Sequence, residues 1–331
     1  MSPLLPWLRE PLERLLATQR GHAVLLSGPE GIGQFELALA LAQAWLCESN
    51  GSLTPCGECA SCRLVHAHTH PDLLVLLPEA LRAGLGWETA EAGDSESRAS
   101  KTKPSREIKV DALREAVAFA QQTSSRGRAK VVLVFPADRM NAIAANTLLK
   151  TLEEPPGQAR FVLGTGAPQA LLPTIRSRCQ TVRLAPPQRP AAEAWLAQQG
   201  VADAAVLLAA AGQQPLTALE LSRQGIDARL WQGLPQQVAR GQGAAFSGWT
   251  PPLLLDTLQK LCHDALCVAV GAPTRYFDAA AFAGLHPSHE RLTEWARELR
   301  ETARHADHPW NAGLMTEALV TQARRALHSP R

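Results

Sequence analysis

Apolar positions along the chain follow two different rhythms. Continuous apolar runs stand at residues 23–26, 72–77, 130–135 and 160–163, with a weaker one at 180–184. Runs of that length between turn residues fit strands buried on both faces of a parallel sheet. Between them lie stretches with a helical period at 7–19, 36–47, 64–68, 110–121 and 141–153, the last stopped by Pro155 and Pro156. Strands alternating with helices predict an α/β domain with a doubly wound parallel sheet over residues 1–186. After Pro190 the strand rhythm stops. Short helical runs at 191–199, 203–211 and 216–223 predict a small helical domain over 187–228. Longer runs, broken at 241–252, 271–273 and 286–288, predict an all-helical domain over 229–331.

The turn after the first strand carries the first chemical signal. Residues 27–35 read Ser-Gly-Pro-Glu-Gly-Ile-Gly-Gln-Phe, with Gly28 and Gly33 at the spacing of a phosphate-binding P-loop. That loop requires Lys to reach the phosphates and Ser or Thr to hold Mg²⁺. Gln34 and Phe35 occupy those positions, and Glu30 adds negative charge. A second strand should deliver acidic groups at 135 and 136, but Phe135 and Pro136 stand there, with Asp138 beyond them in a turn or helix start. Loss of both halves of the apparatus predicts a degenerate site with no ATP or Mg²⁺ turnover. Backbone N–H groups could still cradle a nucleotide weakly.

Four of the seven cysteines, Cys47, Cys56, Cys59 and Cys62, fall within 16 residues. A clustered, odd-numbered set in a chain with no secretory signal favours metal over disulfides. Cys56, Cys59 and Cys62 bring three thiolates round a tight turn eased by Gly57, and Cys47 can close a tetrahedron. Four thiolates with no open position fit structural Zn²⁺; the alternative is free, reduced thiols. His66, His68 and His70 are then packing or surface residues, not ligands.

Net charge changes the picture little. At +2 it gives no global case for nucleic-acid or membrane binding. No apolar run reaches membrane-spanning length, and a cytoplasmic location is expected. Residues 79–107 are polar and rich in charge, and read as a solvated insertion with little to offer a core. Arg178, between Ser177 and Cys179, has no obvious charge partner in a defective triphosphate site. It is either an arginine finger for a neighbour's γ-phosphate or half of a structural ion pair.

Residues 146–156, Asn-Thr-Leu-Leu-Lys-Thr-Leu-Glu-Glu-Pro-Pro, followed by Ser177-Arg178-Cys179, resemble the bacterial clamp-loader family of AAA+ proteins. The cysteine module and Thr69-His70-Pro71-Asp72 are similar to those of the loader's motor subunits. The resemblance implies an AAA+ domain, a helical lid over 187–228 and a collar domain over 229–331 that assembles with other subunits into a hetero-pentamer. It implies zinc on Cys47, Cys56, Cys59 and Cys62, and an arginine finger at Arg178. The implied partners are the motor (tau/gamma) subunits and the clamp-opening delta subunit, and through the complex the sliding clamp and primed DNA. The chain would then be a non-hydrolysing subunit of the DNA polymerase III holoenzyme. Two departures stand out: the polar insertion is long, and the lid stretch 211–216 lacks the Arg an active subunit aims at its own nucleotide. The rival readings are an active AAA+ motor ATPase, opposed by Gln34, Phe35, Phe135 and Pro136, and a zinc-dependent DNA-binding protein, opposed by the near-neutral charge.

Overall fold

The computed structural model describes residues 4–49, 55–87, 104–305 and 311–328. The chain divides into two compact units, Met1–Pro187 and Gln188–Arg331.

In the first unit, β1 (Ala23–Ser27), β2 (Leu73–Leu76), β3 (Lys130–Val134), β4 (Ala159–Thr165) and β5 (Gln180–Arg183) form the sheet. Among the described residues its order is β2-β3-β4-β1-β5, and every pairing is parallel. β1 and β3 are buried along their whole length, which is why they read as continuous apolar runs rather than alternating ones. β5 lies at an edge and is mostly exposed, so its pattern is weak. In register, Leu25 lies between Leu163 of β4 and Thr181 of β5.

The helices of this unit are α1 (Arg9–Thr18), α2 (Gln34–Leu46), α3 (Ala60–His66), α4 (Glu79–Arg82), α5 (Val110–Gln121), α6 (Ala142–Glu153) and α7 (Pro173–Arg176). Leu113 and Ala116 of α5, Leu148 and Leu152 of α6, and Ile175 of α7 pack with Leu25, Val132 and Phe161 of the sheet in one buried cluster. α6 starts where the Asn141 side chain accepts the Ala144 N–H at 2.9 Å and ends just before the two prolines. After β1 the chain crosses to β2 on one side of the sheet, whereas β5 returns to the other side of β1. The carboxyl end of β1 is therefore a switch point, the place where open α/β sheets form ligand crevices.

Two local expectations are revised. α3 begins at Ala60, not near 64, because the Cys59 sulfur accepts the Cys62 N–H and caps the helix. The polar insertion is not wholly without anchors: Trp87 is buried. Residues 88–103 of that insertion lie outside the described residues.

The second unit contains α8 (Arg189–Gln198), α9 (Ala204–Ala210), α10 (Pro215–Arg223), α11 (Ala228–Ala239), α12 (Pro251–Ala269), α13 (His289–Ala303) and α14 (Ala312–Leu327). Both expected helical segments contribute to its buried cluster, Leu207, Leu208 and Leu221 from the first, Trp231, Leu258, Trp295 and Leu299 from the second. Trp231 stacks on Phe277 with ring centroids 4.8 Å apart. Buried Asp264 accepts the backbone N–H groups of Arg275, Tyr276 and Phe277 at 2.7–3.0 Å and fixes the turn after α12. No helix among the described residues is long and apolar enough to cross a membrane.

Candidate functional site

The loop between β1 and α2 is a tight turn that two glycines make possible. Gly33, at φ +103°, precedes α2, and a Cβ there would lie 2.7 Å from side-chain carbons of Leu5 and Leu8. A Cβ on Gly28 would lie 2.6 Å from the Leu184 carbonyl oxygen. Only glycine lets the backbone pass at these two points. The Trp7 indole donates to the Ile32 carbonyl at 2.8 Å and ties the loop to the N-terminal segment.

The side chains that follow fill this turn. Gln34 is buried, and its amide nitrogen donates to the loop's own carbonyls at Gly28 (2.8 Å) and Pro29 (2.5 Å). The position that would send an ammonium to the phosphates instead braces the loop from within. Phe35 meets Phe135 with ring centroids 5.5 Å apart and Trp87 edge-on at 6.1 Å. Trp87 in turn stacks on His68 at 3.8 Å. The two positions whose oxygens would share Mg²⁺ are thus a pair of phenyl rings in contact. These residues do not fit a metal–triphosphate group, which needs oxygen ligands. Asp138, three residues beyond Phe135, has a side chain only 10% exposed and accepts the Thr165 hydroxyl at 2.5 Å.

The cysteines converge as their spacing predicts. Cys47 caps the end of α2, Gly57 turns the chain at φ +78°, and Cys59 caps α3. The four sulfurs lie within 4.8 Å of one another, with Cys47–Cys56 at 3.5 Å, Cys47–Cys59 at 3.9 Å and Cys56–Cys62 at 3.9 Å. A tetrahedron of sulfurs bound at about 2.3 Å has edges of about 3.8 Å. The cluster could therefore hold a metal ion, and its soft donors and size are compatible with zinc. Without a cation these thiols ionise unequally. Hydrogen bonds from the Ser49 side chain and the backbone N–H of Cys59 lower Cys56 to about 6, whereas burial raises Cys62 to about 12. A central cation removes that conflict by letting all four carry charge together. His66 bonds Gln43 at 2.8 Å, His68 stacks on Trp87 and His70 bonds Ser61 at 3.1 Å, so all three pack.

A polar network that sequence reasoning missed joins this module to the sheet. The Glu48 carboxylate accepts from Ser61 and from Arg126. The His70 Nδ1 accepts the Asp72 N–H at 3.0 Å. Asp72, with no exposed surface, accepts from the Ser124 hydroxyl (3.0 Å), the N–H groups of Ser125 (2.8 Å) and Arg126 (2.9 Å), and Lys130 Nζ (3.0 Å). The only signal in the sequence is the His-Pro-Asp turn just before β2.

Arg178 follows α7 and precedes β5. Its Nε donates to Glu153 Oε1 at 2.7 Å, its Nη2 bonds the same oxygen, and its Nη1 donates to the Thr174 carbonyl at 2.9 Å. The pair is partly exposed, and Glu153 is the last residue of α6. In the free chain the Arg178 guanidinium is paired with the Glu153 carboxylate.

A sequence profile for the family described as "DNA polymerase III, delta subunit" matches residues 8–188. The chain is 38% identical over 269 residues to DNA polymerase III subunit delta' of Pseudomonas aeruginosa, covering 77% of this chain and 75% of that protein. It is 34% identical over 277 residues to the subunit of the same name from Escherichia coli K12, covering 77% and 76%. Over 158 residues, 48% of this chain and 21% of the relative, it is 35% identical to DNA polymerase III subunit tau of Salmonella typhimurium.

Proposed function

The chain belongs to the DNA polymerase III delta' family, and on that premise we propose that it is a non-hydrolysing subunit of the replicative clamp loader, working in the cytoplasm. The observation that carries this reading is the contact of Phe35 with Phe135 at 5.5 Å where a metal–triphosphate group would need oxygen ligands. A subunit built this way contributes to ATP turnover only at a neighbour's site. Arg178 is the group for that task, an arginine finger presented across the subunit boundary. Motor subunits of the tau/gamma type and the clamp-opening delta subunit are its partners in a hetero-pentamer, which loads the sliding clamp onto primed DNA. Residues 187–228 act as the lid and residues 229–331 as the collar segment. Cys47, Cys56, Cys59 and Cys62 hold a structural Zn²⁺, which supplies cross-linking of the module and no chemistry.

The test is reconstitution. The chain alone is expected to neither bind ATP tightly nor hydrolyse it. Mixed with motor and delta subunits it should co-purify and raise DNA-stimulated ATPase. Turnover by the isolated chain at a motor-like rate would sink the non-hydrolysing assignment.

For the metal, elemental analysis of the purified protein is expected to give about one zinc per chain. Cys59→Ser should lower that occupancy and open the module to proteolysis between α2 and α3. Four titratable thiols with no metal would refute the site.

A further inference from the structure

We infer that Glu153 is a positioning residue for Arg178: it holds the guanidinium by its Nε edge so that the terminal nitrogens are presented in a fixed direction. This rests on the reading of Arg178 as a finger. The free chain already pins this side chain at each of its three nitrogens. Nε and Nη2 share Glu153 Oε1, and Nη1 takes the Thr174 carbonyl at 2.9 Å and reaches the Ser177 hydroxyl at 3.5 Å. A guanidinium carries five N–H groups, so Nη2 keeps one N–H that these bonds do not use.

The support behind Glu153 is rigid. Neighbouring Leu152 is buried, and its carbonyl bonds His22 Nε2 at 2.7 Å. The His22 carbonyl in turn accepts the Phe161 N–H of β4 at 2.7 Å. Pro155 and Pro156 stop α6 immediately after the glutamate pair. Thr174, the second anchor, lies on α7, whose Ile175 is fully buried in the sheet cluster. Arg178 is therefore clamped between the ends of two packed helices. A group that must meet developing charge gains from this, since it needs no reorganisation when the charge appears.

The nearby carboxylate also has a cost, because it weakens the pull of the guanidinium on an anion. A gain can come only through geometry, so Glu153 is expected to act on kcat more than on binding. Glu153→Ala is expected to lower kcat of the adjoining ATPase site about tenfold with the ATP KM changed less than about twofold. Glu153→Gln keeps a carbonyl oxygen for Nε and should recover most of the loss. The pair is partly exposed, so neither variant should alter folding or assembly, checked by circular dichroism and gel filtration of the complex.

The experiment measures DNA-stimulated ATPase of loaders reconstituted with wild-type chain, Glu153→Ala, Glu153→Gln and Arg178→Ala. Low kcat in the Arg178 and Glu153→Ala loaders, with recovery in Glu153→Gln, supports the inference. A slow Arg178→Ala loader beside a Glu153→Ala loader at wild-type rate or faster overturns the positioning role and leaves the finger standing. An Arg178→Ala loader at wild-type rate overturns the finger, and the positioning role with it.

Discussion

Arg178→Ala is expected to leave the chain folded and able to assemble while ATP turnover at the adjoining site falls by about 10³-fold, the low end for loss of an arginine finger. The fold should tolerate the change for a local reason. The side chain is partly exposed, and its bonds run to one carboxylate, one carbonyl and, at 3.5 Å, the Ser177 hydroxyl. Removing such a pair costs at most about 1 kcal/mol. The residues that hold this segment, Ile175 and Cys179, are buried and untouched. Arg178→Lys should fall nearly as far. An ammonium carries the charge but lacks the planar fork that Glu153 and Thr174 orient. The measurement is DNA-stimulated ATPase of the reconstituted loader against that of motor subunits alone. Wild-type turnover in the Arg178→Ala loader would remove the trans-acting role.

How far the sequence could be read depended on the distance each feature spans. The strands are legible because β1 and β3 are buried on both sides, so their own composition reports it. The damaged loop is legible because its chemistry sits at fixed offsets from Gly28. The cysteines are legible for the same reason, since three of the four lie on one turn. What escaped is pairing across long separations. Glu153 and Arg178 lie 25 positions apart, on α6 and after α7, and only the crossing from β4 to β5 brings them together. Trp87 sits in a stretch whose polar composition hides it, yet it completes the aromatic group around Phe35. Helical periodicity says which face is buried, not which residue it meets.

The absence of acids at positions 135 and 136 and the presence of rings at Phe35 and Phe135 have one physical consequence. Oxygen ligands around a metal require hydration, charge balance and an open crevice. Phenyl rings in the same place favour exclusion of water and close packing. Phe35 packs against Phe135 and, edge-on, against Trp87, and the rings of Phe35 and Trp87 are buried.

Asp72→Asn should be among the most destabilising single changes in the first unit, by about 3–5 kcal/mol. Four donors converge on this carboxylate, as many as its lone pairs accommodate. Asparagine keeps the shape but loses the charge, and turns N–H donors toward donors. It also strands the buried Lys130 ammonium, which then keeps, among the described residues, the Pro71 carbonyl at 3.1 Å and the face of Phe119 at 4.3 Å. Against a typical total of about 5–15 kcal/mol such a loss is large, and should lower the melting temperature of this unit by roughly 10 °C. Adding Lys130→Met should recover part of it, because the uncompensated charge is then gone. The pH dependence has a definite sign. Burial by itself would raise the Asp72 carboxyl, but the Ser125 N–H, Lys130 and the Arg126 N–H outweigh it and hold the group below its ordinary range. Its stabilisation is complete above about pH 3.9, the unfolded value, and is lost as pH falls through the lower folded value. Urea unfolding of wild type and Asp72→Asn should therefore differ by a constant amount near neutrality, with the gap closing in acid below about pH 3.9. A gap under about 1 kcal/mol at pH 7 would show that the network is replaceable by water.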